Sequence, residues 1–246
     1  MGKKIQPPAK VGDITQEMLA DLAKALGTDL LSATLFGSAA DEARYAGGKS
    51  DIGLLLLLAE DAANPLKRLM GFCQKWRPAR VSPPLLMTPS YLEGSRDAFP
   101  IELLIMAASH RTILGEDPLA DLRVEKVDLR LQLERELKAK LMALSTRVLA
   151  SDGGTQSLSR IVAEAAPAFT ALFQALLWLL KGSFPLAADE VLAAAAEAGY
   201  RLEAIRTLSL VRAGQVRPTP GELLVILEDA AAELKLLSTL VDAMEV

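Results

Sequence analysis

The spacing of apolar positions changes along the chain, and the change predicts two kinds of structure. Met18, Leu19, Leu22 and Leu26 keep helical spacing. Asp13 followed by Gln16 resembles a capping box, and Gly27 closes the pattern, so residues 14–26 are predicted to be a helix after a loose lead-in over 1–12. Residues 31–36 read as a short strand running into Gly37-Ser38. A polar loop over 39–50 leads to Asp51-Ile52-Gly53 and five leucines at 54–58, a run that suits a central strand buried on both faces. Residues 61–76 are amphipathic enough for a crossover helix. Residues 85–87 and 100–106 read as two more strands, with a helical turn over 89–97 between them.

After Asp117-Pro118 the strand signals stop. Helices are predicted over 122–150, 158–181 (bent at Pro167), 189–198 and 202–212, with glycines as stops. Thr219-Pro220-Gly221-Glu222 then opens a last helix running to about 243, with Thr as cap, Pro at the first position and Glu at the third. The pattern gives an α+β chain: an α/β-like domain with a small mixed sheet over 1–120, then an all-α antiparallel bundle over 121–246.

Composition narrows the classes. Hydrophobic residues are 51% and charged residues 24%, the balance of a folded chain. The net charge of −4, with neither half basic, gives no strong nucleic-acid signal. One cysteine, Cys73, excludes an internal disulfide and a multi-cysteine zinc site, and fits a reducing cytoplasm. Lys3 and Lys4 lead into prolines rather than an apolar segment, so no secretory signal is expected. The apolar stretch over 168–180 is too short for a membrane span and contains Gln174. The expectation is a cytoplasmic protein, with an acidic, Leu/Ala-rich bundle that would support a homodimer or a protein partner.

The segment richest in chemistry is Leu35-Phe36-Gly37-Ser38 followed by Ser50-Asp51-Ile52-Gly53-Leu54-Leu55. It resembles the signature of the polymerase-beta-like nucleotidyltransferases, and in particular the aminoglycoside adenylyltransferases. In that pattern a strand ends in Gly-Ser and the next strand carries Ser-Asp-x-Asp before an apolar run. The resemblance implies a nucleotidyltransferase fold, Mg²⁺ with ATP or another nucleoside triphosphate, and nucleotide contacts at Gly37, Ser38 and Ser50. Two Asp residues two apart on a strand share a face and can hold a metal ion that clamps the triphosphate. A Gly-Ser turn lets backbone N–H groups approach phosphate.

The match is incomplete. Gly53 stands where the second metal-binding Asp is expected, and glycine has no ligand atom. Asp41, Glu42 and Glu60 lie near in sequence, but none is an obvious replacement. The resemblance offers Glu102, in Pro100-Ile101-Glu102-Leu103-Leu104, as the third carboxylate, so Asp51 and Glu102 are the candidate catalytic and metal-binding pair. Each residue also has a plain structural explanation: a strand-end turn for Gly37-Ser38, a capping carboxylate for Asp51, an ion pair for Glu102.

Other features read as structure. His110, the single histidine, excludes a histidine pair for metal, and no Arg stands just before it in a helix as the helical ribonucleases that accompany small nucleotidyltransferases require. Phe173, Trp178 and their leucine neighbours look like bundle core. The charges from Arg130 to Lys140 look like a solvated face with i,i+4 pairs. Three functions follow: a catalytically degenerate protein binding a nucleotide, small ligand or partner in an interdomain cleft; an active Mg²⁺-dependent transferase acting on a small-molecule or protein hydroxyl; or a structural protein with the cleft filled.

Overall fold

The leucine run forms the inner strand β2 (Gly53–Leu58) of a four-stranded mixed sheet with order β3-β2-β1-β4. β1 (Leu30–Phe36) pairs antiparallel with β2 and with β4 (His110–Leu114), while β3 (Leu85–Met87) is parallel to β2. The computed structural model describes residues 5–200 and 202–245, without the side chains of 166 and 167. Its contacts separate two units: one holds the residues up to Arg96 together with Leu103–Arg123, the other Asp97–Glu102 together with those from Val124 onward.

In the first unit, α1 (Gly12–Leu26) and α2 (Pro65–Trp76) bury Met18, Leu22, Leu69, Phe72 and Trp76 against one face of the sheet, where Ala33, Leu35, Leu54 and Leu56 point. The indole N–H of Trp76 donates to Asp21 at 2.8 Å, and Arg68 ties α2 to Ala25 O, Leu26 O and Asp29. Leu55 points to the opposite face, where it packs with Leu92 of α3 (Pro89–Glu93), Leu103 and Met106 of α4 (Pro100–Ala108), and Leu119. Burying one such leucine contributes roughly 1.5–3 kcal/mol.

Three expectations are corrected by the structure. Residues 100–106 are not a strand: Pro100–Ala108 is helical. A short apolar run does not separate strand from helix by period. Pro at the helix start and the Leu, Met and Ala that follow favour the helix. The strand next to β1 on that side is instead His110–Leu114. The capping box at Asp13 is not formed either. Helix α1 starts at Gly12, and the Asp13 carboxylate accepts the Lys10 N–H from inside the first turn. Helix α2 starts at Pro65 rather than 61, because a proline disfavours helical backbone in the residue before it, and Asn64 is left-handed at φ +50°.

The second unit is helical: α5 (Lys126–Leu149), α6 (Thr155–Lys181), α7 (Ala188–Glu197), α8 (Glu203–Arg212) and α9 (Pro220–Asp242). Helix α5 packs on α6 and α9, and α8 packs on α6 and α9. Phe169, Phe173, Leu176 and Leu177 of α6 are buried, and Trp178 is half-buried, as expected for core. The bend expected at Pro167 lies outside the described side chains. By length and composition α6 would also suit a membrane span, but 56% of its most apolar stretch is buried within the protein, as in a core helix. The Thr219 cap forms as predicted: its hydroxyl accepts from Glu222 N–H while the Glu222 carboxylate takes the Thr219 N–H. Helix α8 has its own cap from a neighbour, since Glu233 of α9 accepts Ala204 N–H at 2.9 Å and Ile205 N–H at 3.0 Å.

Candidate functional site

Register builds the site. Phe36 is paired with Gly53 on one side and with His110 on the other, so the Gly37-Ser38 turn and the Ser50-Asp51 entry lie at the same end of the β1–β2 pair. Gly37 turns the chain at φ +71°, a conformation that favours glycine. Ser109 clasps the turn: its carbonyl accepts Gly37 N–H at 2.8 Å and its hydroxyl donates to Gly37 O at 2.9 Å. Arg44 donates to the Ser109 hydroxyl at 3.0 Å. Ser38 follows in a short 3₁₀ turn, and its carbonyl accepts Asp41 N–H at 3.3 Å. Ser50 closes its own loop, with its hydroxyl accepting Ala46 N–H at 3.2 Å.

The position after Asp51 and Ile52 is occupied in a way that matters. A Cβ on Gly53 would lie 2.7 Å from Phe36 Cε2 and 2.9 Å from Phe36 Cζ. The aromatic ring therefore covers the bare backbone, and a carboxylate there would need the ring to move. Asp51 itself is exposed (63%) and pairs with Arg80, Nη2 to Oδ1 2.8 Å. Arg80 is carried there by backbone, because Ile52 N–H donates to Arg80 O at 2.8 Å and Ser82 N–H to Ile52 O at 3.0 Å.

The nearby acids are committed elsewhere. Asp41 accepts Ala43 N–H, Glu42 accepts Gly12 N–H, and Glu60 accepts both the N–H and hydroxyl of Ser90, each at 2.8–2.9 Å. The Ser90 N–H bond is the main reason that Glu60 titrates below its ordinary value. Glu102 belongs to the other unit. It sits exposed in the first turn of α4, where its charge suits the helix N-terminus, and accepts from Gln132 Nε2 at 2.8 Å. Gln132 Oε1 in turn accepts Ile101 N–H. Glu102 thus lies on a helix, not on the strand expected over 100–106. Among the described residues no three His, Cys, Asp or Glu side chains gather as a metal group, and the residues present do not fit a paired-carboxylate metal site.

His110 has both ring nitrogens engaged, Nδ1 with Ala107 O at 2.8 Å and Nε2 with Asp117 at 2.9 Å, which matches its structural reading. Burial works against the Asp117 charge. Hydrogen bonds from His110, Leu119 N–H and Thr112, with the charge of His110, outweigh it and hold the carboxyl below its ordinary value. Sequence reasoning missed Arg80, Phe36 and Ser109. Arg80 lies 29 positions after Asp51 and comes beside it only through the turn at 80–82, which leaves no local signal.

The fold is similar to that of a solved adenylyltransferase. The chain superposes, over 89% of its length and 99% of the other chain, on the crystal structure of spectinomycin adenyltransferase AAD(9) from Enterococcus faecialis with ATP and spectinomycin, with a TM-score of 0.55 and 15% identity. No protein-family model matches the sequence, and no curated protein matches it significantly.

Proposed function

We propose that this protein is a nucleotidyltransferase-fold protein that binds a nucleotide or a related small ligand at the Gly37-Ser38 turn and has given up metal-dependent transfer. One observation carries the reading: the Phe36 ring lies over Gly53, where the second metal-binding carboxylate would stand. The turn that would approach phosphate is retained and clasped by Ser109, so the binding half of the motif outlasts the catalytic half. The structural neighbour was crystallised with ATP, which makes ATP the first nucleotide to test. A cytoplasmic setting fits the single free cysteine.

Calorimetric titration of ATP, with and without Mg²⁺, tests this. Binding without release of pyrophosphate is the expected result. Mg²⁺-dependent pyrophosphate release in the presence of small hydroxyl acceptors, lost in Asp51→Ala, would overturn it. It would establish the second reading, an active transferase, for which the retained Ser50-Asp51 pair speaks. No affinity for any nucleoside triphosphate would leave the structural role.

A further inference from the structure

Arg80 is fixed in a costly conformation beside Asp51. Its backbone is left-handed at φ +63°, a conformation that is strained for a non-glycine residue. The side chain folds back so that Nη2 reaches both Asp51 Oδ1 and, at 3.1 Å, the carbonyl of Lys49. Its Nε is buried and has no hydrogen-bond partner among the described residues. The same is true of the hydroxyl of Tyr45, a residue only 7% exposed. Buried donors without acceptors are rare, and a ligand oxygen would satisfy them. Burial raises the Tyr45 phenol above its ordinary pKa, with Arg80 opposing and Asp51 and Glu42 adding to the shift, so the group is a neutral donor.

Resting on the nucleotide-binding reading above, we propose that Arg80 takes the place of the divalent cation: Asp51 holds a guanidinium instead of a metal ion, and the site receives the phosphate groups of a nucleotide without metal. The chemistry is consistent. A guanidinium is permanently charged and presents several N–H donors in a plane that matches phosphate oxygens. Asp51 then has an unusual role. As a metal ligand it would help bind a triphosphate, but as a partner of Arg80 it competes with the phosphate for the same donors.

That reversal of sign gives the test. ATP is titrated into the full chain in EDTA and again in excess Mg²⁺, for the wild type and for Arg80→Gln, Asp51→Asn and Tyr45→Phe. Wild-type affinity is expected to agree between the two buffers within about twofold, and Arg80→Gln to weaken it by about tenfold or more. Asp51→Asn is expected to tighten binding in EDTA. Binding that requires Mg²⁺, or that is lost in Asp51→Asn, would overturn the inference while leaving nucleotide binding intact. If Arg80→Gln fails to fold by circular dichroism, Asp51→Asn and a weakened Tyr45→Phe carry the decision. Inorganic tripolyphosphate separates the two claims: binding of it, but not of ATP, in EDTA and dependent on Arg80 would support the anion site and overturn the nucleotide reading. Binding of neither would overturn both.

Discussion

The ring of Phe36 lies across Gly53 on the neighbouring strand, with Phe36 Cε2 2.7 Å from where a Gly53 side chain would begin. An aromatic over a strand glycine shields backbone that would otherwise face solvent. The two residues therefore work as a pair. Gly53→Asp is expected to destabilise the protein by about 1–3 kcal/mol, because the ring also packs against the buried cluster that includes Leu55, Leu103 and Met106 and cannot swing away freely. In combination with Phe36→Ala the losses should fall short of additivity by about 1 kcal/mol or more, read by urea unfolding. Strict additivity would mean the ring does not block the position.

Asp51→Ala should behave differently. Its ion pair with Arg80 is between exposed groups, 63% and 40%, so the expected change in stability is within about 0.5 kcal/mol. Chemical denaturation measures it. A loss several times larger would make Asp51 a structural residue and remove it from the site.

Glu233 caps α8 from another helix. Glu233→Ala strips the acceptor from two N–H groups and is expected to cost about 1–2 kcal/mol, again by urea unfolding. Unchanged stability would mean that solvent satisfies those groups equally well.

Asp117 should give the protein part of its acid sensitivity. Its carboxyl titrates lower in the folded chain than in the unfolded one, whose ordinary value is 3.8. The stabilisation is therefore complete above that value and is lost as pH falls through the lower, folded value. Melting temperatures of the wild type and Asp117→Asn are expected to differ near neutrality and to converge in acid. A constant offset at all pH values would contradict the assignment.

Much of this was legible in sequence where local chemistry decides the structure. The leucines at 54–58, the turn after Phe36 and the Thr219 cap each carry their own signal, and each element lies where that signal placed it. The helix at Pro100 was misread because a lone acid in an apolar run looks the same on a strand as at a helix N-terminus. Only the next layer of structure, Gln132 receiving Ile101 and holding Glu102, distinguishes them. At the candidate site the motif residues were readable, but their partners were not. Arg80 reaches Asp51 through tertiary hydrogen bonding of Ile52, and Phe36 reaches Gly53 through strand register.

The chain's two tryptophans are divided between its two units, Trp76 buried against the sheet and Trp178 half-buried in α6. Each unit thus carries its own fluorescent reporter. Trp178→Phe leaves an emission that follows the sheet alone, and Trp76→Phe one that follows the helices alone. Whether the halves melt together or in succession can be read from intrinsic light, without any label.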